Sequence, residues 1–192
     1  MQRQPGDRAV APGPLALVQS FLNSINVEFG PDELATTAGF ARWLDRNGLA
    51  TPPSGVDDLD LRRAVALREA LRALLRENNG AAPDPAARRT VEHVSRDCPL
   101  VVGFDTDDSG PVLHPAQSDV RGALAMILAR VVAAVADGSW QRLKACSEHR
   151  CEWVFYDRSR NRSSRWCSMA VCGTRAKMHT YRHGTAEAAA RH

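Results

Sequence analysis

The sequence predicts an α+β fold in two parts: a mostly helical N-terminal domain carrying one β-hairpin, then a small cysteine-rich module near the C-terminal end. Three observations lead there. Apolar residues recur at three- and four-residue intervals in several runs before residue 140, the mark of helices with one buried face. Two short β-type runs, PLVVGF and PVLH, flank a polar turn, DTDDSG. Four of the five cysteines fall between Cys146 and Cys172, as two close pairs.

Residues 1–14, with Pro5, Gly6, Pro12, Gly13 and Pro14, are expected to form a flexible leader. A helical domain is expected over 15–139. Leu15, Leu17, Val18, Phe21, Leu22 and Ile25 suggest a first helix to about Asn26, broken by Gly30-Pro31. Thr36 or Thr37 caps a second, which carries Phe40, Trp43 and Leu44 and ends before Gly48. Pro52-Pro53 reads as a linker. Asp57 or Asp58 opens the most regular helix, with Leu61, Val65, Leu71, Leu74 and Leu75 as its apolar stripe and Asn79-Gly80 as its stop. A fourth helix runs from Pro85 to about Cys98, its proline tolerated in the first turn. The hairpin follows. Ser118 or Asp119 then caps VRGALAMILARVVAAVADG, which is apolar on most faces and expected to be mostly buried.

Nothing in this domain forms a catalytic constellation. His93 and His114 stand alone. Asp105, Asp107 and Asp108 lack the spaced ligands and distal glutamate of a calcium loop, so a solvated turn is expected. Cys98, Phe40 and Trp43 are expected in the core. No window of eighteen apolar residues marks a membrane span, and the N-terminus shows no apolar run of signal-peptide type. A cytoplasmic location is the expectation, and thiols stay reduced there.

The cysteines read C-x4-C-x15-C-x4-C, the pairs joined by a span long enough for a hairpin. Zn2+ takes four ligands in a tetrahedron, and each close pair can supply one edge. A small zinc-ribbon- or treble-clef-like module over 140–192, holding one structural Zn2+ on Cys146, Cys151, Cys167 and Cys172, is the reading this spacing favours. Three others compete. Two disulfides need an oxidising compartment. His149 lies inside the first pair and can replace a cysteine. A redox thiol pair normally has a two-residue gap. Four thiolates leave the metal no open position for water, so the site speaks against an enzyme.

Charge sharpens the division. Residues 1–139 hold 14 basic and 18 acidic side chains, whereas 140–192 hold 11 basic and 4 acidic. The cysteine-rich end is thus the cationic end, and polyanions are its natural partners. A short aromatic strand, Trp153 to Tyr156, is followed by a basic loop with Arg158, Arg160, Arg162 and Arg165. After Cys172-Gly173 a helix to about Gly184 presents Arg175, Lys177 and Arg182.

The run NRSSRWCSMAVCGTRAK resembles the C-terminal zinc finger of the CGNR family, named for its Cys-Gly-Asn-Arg signature. CEWVFYDRSRN resembles the segment after that finger's first cysteine pair. LVQSFLNSINVEFGPDELATTAGFARWLDRNGL and ALREALRALL resemble the ABATE domain that accompanies it. The resemblance implies a stress-induced transcriptional regulator with a DNA-binding finger. It also implies the same four cysteine ligands, with Arg175 as the signature arginine. Thr174 departs from the signature asparagine: if that asparagine touches a base edge, specificity changes, and if it caps a turn, threonine suffices.

DNA is therefore the expected partner, contacted by Arg158, Arg160, Arg162, Arg165, Arg175, Lys177 and Arg182. RNA is the alternative, because Trp153, Tyr156, Trp166 and Tyr181 sit among the cations and aromatic rings stack unpaired bases. A third reading makes the finger a protein-interaction module with purely structural zinc. The N-terminal unit is expected to sense a signal or to form a homodimer.

Overall fold

The computed structural model describes residues 4–51, 55–104 and 110–189, and of 182–189 only the helical backbone. The expected Pro52-Pro53 linker and the turn with Asp105, Asp107 and Asp108 lie outside the described residues.

The fold is α+β. Helices α1 (Leu15–Leu22), α2 (Thr37–Arg46), α3 (Asp58–Glu77) and α4 (Pro85–Arg96) come first. Strands β1 (Leu100–Phe104) and β2 (Pro111–Pro115) pair antiparallel with Val102 opposite Leu113, forming the expected hairpin. Helix α5 (Val120–Ala136) follows. A second antiparallel pair, β3 (Leu143–Ala145) and β4 (Val154–Tyr156), and helix α6 (Thr174–Ala189) complete the order.

The helix starts follow their caps. Thr36 Oγ1 accepts from Gly39 N at 3.0 Å, and Asp119 Oδ1 from Arg121 N at 2.9 Å. Asp57 and Asp60 form a reciprocal capping box on α3. The core gathers α1, α2, α3 and α5. Phe21, Phe40, Trp43, Leu67, Leu71, Leu75 and Leu124 are fully buried, with the Phe21 and Trp43 rings 5.5 Å apart. Each such side chain stabilises the fold by about 1.5–3 kcal/mol. Cys98 is buried here, and burial pushes its thiol up to about 11. His93 is exposed and His114 half-buried.

One expectation needs correction. The buried face of α3 is Ala64, Leu67, Leu71 and Leu75, while Leu61, Val65 and Leu74 are only half-buried. The difference comes from Arg68 and Arg72, which share the inner face. Arg68 forms a bidentate pair with Asp32 at 2.6 and 2.8 Å and also donates to Ser24 Oγ. Arg72 donates to Glu69, to Leu22 O and to Glu152 O. Buried charges persist only when paired in this way. Helix α5 is mostly buried, as expected, with Val132 and Val135 exposed on its last turns.

Helix α1 stops at Leu22 because the next residues bind elsewhere. Asn23 acts as a short strand against β4: its Nδ2 donates to Val154 O and its Oδ1 accepts from Val154 N, both at 2.8 Å. Gln19 Nε2 also donates to Val154 O, at 3.1 Å. At the end of α3, Asn78 Nδ2 donates to Trp140 O and Leu143 O. Asn79 Nδ2 faces Ala145 O, Ser147 Oγ and Arg165 O at 2.7–2.9 Å. These amides fix the C-terminal module against α1 and α3.

Candidate metal centre and basic surface

The turn joining β3 to β4 carries the first cysteine pair. Cys146 N donates to Trp153 O at 2.9 Å, and Cys151 N to Glu148 O at 2.8 Å. The second pair brackets a short helical turn, Met169–Gly173, whose cap is Ser168 Oγ accepting from Val171 N at 3.3 Å. Helix α6 starts directly after it. One pair thus comes from a hairpin tip and one from the start of a helix, a treble-clef-like arrangement. The hairpin surrounds the first pair rather than lying between the pairs. Leu143-Lys144-Ala145 is too short and mixed to read as a strand, yet it pairs with Val154–Tyr156.

All four sulfur atoms lie within 4.8 Å of one another and are buried. Cys151 and Cys167 sulfurs are 3.5 Å apart, and those of Cys167 and Cys172 3.7 Å. A tetrahedron with metal–sulfur bonds of about 2.3 Å has edges of about 3.8 Å. A disulfide needs about 2.05 Å. The cysteines are unbridged, so the spacing fits one shared ion and not two disulfides. Thiol hydrogen bonds from Cys151 and Cys167 hold the Cys146 thiol well below its ordinary range. The Cys151 and Cys167 thiols are pushed up by that same donation, and Cys172 by burial. Four thiolates this close together require a cation among them. His149 is exposed and bonded to Glu148 at 3.2 Å, outside the sulfur group.

Aromatic side chains enclose the cluster. Trp153 and Phe155 are buried against the cysteines, with Trp166 packed beside them. Trp153 Nε1 donates to Gln4 Oε1 at 3.0 Å. Its burial leaves that ring unavailable for stacking a base, whereas Tyr181 is exposed. Arg8 lies 4.4 Å over the Phe155 ring and donates to Trp166 O and Cys167 O, both at 2.8 Å. Nothing in the sequence around Arg8 marks it as a partner of the second cysteine pair.

The basic loop is held from within. Lys144 Nζ donates to Asp157 Oδ2 at 2.9 Å, to Arg162 O at 2.5 Å and to Ser164 O at 3.2 Å. Asp157 in turn accepts from Ser159 N and Ser164 N at 2.9 and 3.0 Å. Arg158, Arg160, Arg162 and Arg165 are exposed on this loop. Arg158 donates to Val10 O at 3.3 Å. Lys177 is exposed on α6. Arg175 is half-buried and pairs with Glu28 at 2.5 Å. The Arg182 side chain lies outside the described residues. Thr174 Oγ1 donates to Met169 O at 3.3 Å, which places it at a turn. Sequence reasoning missed Arg150, exposed in the first cysteine turn, where it lines a groove with Arg175 and His179. Its place inside a ligand pair was the signal available.

Residues 142–184 match the family model described as CGNR zinc finger. Residues 15–138, well over half of the chain, match the ABATE model, described as "Putative stress-induced transcription regulator". The chain belongs to the ABATE family. In this ABATE protein the finger follows the family domain, as the sequence resemblance implied. Its four clustered cysteines are able to hold one metal ion, and the CGNR finger takes one structural Zn2+. Comparison with curated proteins gives no match to this ABATE chain. Among its described residues no helix is long and apolar enough to cross a membrane.

Proposed function

We propose that this ABATE protein is a transcription regulator that binds duplex DNA through its zinc finger. Cys146, Cys151, Cys167 and Cys172 are the ligands of the single ion. Arg158, Arg160, Arg162, Arg165, Arg175, Lys177 and Arg182 are the nucleic-acid contacts, joined by Arg150. The observation that carries this reading is the loop 158–165, whose backbone is fixed from inside by Lys144 and Asp157 while four guanidinium groups are exposed. A fixed backbone with exposed cations suits a row of phosphates, which positions a protein before bases are read. Residues 15–139 are the sensing or dimerising unit, and 140–192 the finger. The ion is structural, with no catalysis at a closed four-sulfur site, and a reducing cytoplasm keeps its thiols competent.

A salt titration on random duplex DNA tests the reading. Contacts to five or six phosphates give a slope of log affinity against log salt of roughly −5. A flat response, or no retention at low salt, overturns it. Tighter binding to single-stranded RNA than to duplex replaces DNA with RNA as the partner. Selection of bound duplexes from a random pool then gives the target site.

A further inference from the structure

The helical domain holds a groove that the finger does not explain. It lies among residues 10–14, α1, the end of α2 and α5, with a volume of about 480 Å3. Small-molecule sites span about 300–1,000 Å3. Its apolar lining includes Val10, Pro14 and Leu17. Its polar lining includes two guanidinium groups, Arg46 and Arg130, and no carboxylate lines the groove. Arg46 is paired with Glu33. Arg130 is half-buried, and its side chain has no hydrogen bond or ion pair among the described residues. A partly desolvated cation without a counter-charge is disfavoured until an anion joins it. The planar guanidinium fork matches a carboxylate with two parallel hydrogen bonds.

We propose that this groove binds a small organic carboxylate, held at its charged end by Arg130 and covered at its apolar end by Val10, Pro14 and Leu17. The groove wall also includes Gln19, whose side chain accepts from Ala11 N at 2.8 Å and donates to Val154 O of β4. An occupant that moves Gln19 therefore moves a hydrogen bond of the finger's own strand. This gives the helical domain a ligand class and a physical route to the metal module. The binding site stands independently of the DNA reading.

The test uses the full-length, zinc-loaded protein without nucleic acid. Benzoate is titrated calorimetrically, with benzyl alcohol as the neutral isostere and inorganic phosphate as the anion without an apolar part. Saturable benzoate binding is expected, at least tenfold weaker for phosphate and absent for benzyl alcohol. Arg130→Met keeps the aliphatic stem and should weaken benzoate at least tenfold, while Arg89→Met, an exposed arginine on α4, should not change it. On the wild-type protein, benzoate should shield Arg130 from phenylglyoxal, read by peptide mass. No saturable benzoate binding, or no shielding of Arg130, overturns the site. Equal binding of phosphate overturns the assignment to an organic acid. Because every reading is taken without DNA, failure here is distinct from failure of the DNA proposal.

Discussion

Lys144 Nζ lies 2.9 Å from Asp157 Oδ2, with the side chains only 5% and 0% exposed, and this ion pair forms the inside of the arginine loop. The lysine also reaches two loop carbonyls, those of Arg162 and Ser164. An isolated pair of charges gains little from burial. Here the remaining hydrogen-bonding positions are filled, which is the condition under which a buried pair holds.

Lys144→Met leaves the Asp157 carboxylate buried without its counter-charge. The expected loss is about 3–5 kcal/mol, read as a lower urea midpoint with an unchanged slope. Lys144→Met combined with Asp157→Leu should cost less than the sum of the two single changes. Strict additivity would show that the two side chains do not act as a pair.

The same pair makes stability depend on pH. Burial alone raises the Asp157 carboxyl, but hydrogen bonds from Lys144, Ser159 and Ser164 outweigh it and hold the group well below the ordinary carboxylate range. A group depressed in the folded state contributes fully above its unfolded value, about 3.9 for aspartate, and that contribution is lost as pH falls through the lower folded value. Asp32 shifts in the same direction, with the Arg68 hydrogen bond overcoming burial. The stability gap between wild type and Asp157→Asn should therefore be widest near pH 6 and narrow below about pH 4. Urea midpoints of both proteins at pH 6, 4 and 3 check this. A gap that stays constant would rule out the linkage.

Local chemistry was legible in the sequence, and chemistry carried across the fold was not. Thr36, Asp57 and Asp119 cap backbone groups two or three residues away, so sequence shows both partners at once. The cysteine pairs are legible for the same reason: each sulfur has its neighbour five residues along. Gln19 and Asn23 bind Val154, 135 and 131 positions away, and a polar side chain on a helix reads as solvated until its partner is placed. Arg68 and Arg72 misled for a related reason. In REALRALLRE two stripes are nearly equivalent by period, and only Asp32, Leu22 and Glu152 select the one that buries guanidinium groups.

Loss of zinc should reach beyond the finger. A structural zinc site contributes on the order of 10 kcal/mol of folding free energy. With Cys167→Ser, or with a chelator, the stoichiometric metal should disappear and amides of 143–173 should exchange freely. The helical domain should also loosen where it is fixed to β4. Asn23, Arg72 and Asn79 lose acceptors at Val154, Glu152 and Ala145, and each buried polar group left unpaired costs about 1–3 kcal/mol. Hydrogen exchange resolved by peptide tests this. Faster exchange at the end of α1 and the end of α3 is expected alongside the finger, and unchanged protection there would mean that the two parts fold independently.

Arg175 offers the sharpest test of the nucleic-acid surface, because it is already paired. Its guanidinium lies 2.5 Å from Glu28 Oε1, and that carboxylate raises the arginine pKa further. To bind a phosphate, Arg175 must exchange one anion for another, and Glu28 repels the incoming strand. Glu28→Gln should therefore raise DNA affinity by a few-fold at low salt, in line with the modest strength of exposed ion pairs. Arg175→Ala should lower affinity and reduce the salt slope by about one. The decisive measurement is Glu28→Gln in the Arg175→Ala background. If Glu28 acts by occupying Arg175, the gain disappears there. If the gain persists in full, Glu28 acts on DNA directly and Arg175 is a structural residue that fastens α6 to the loop after α1.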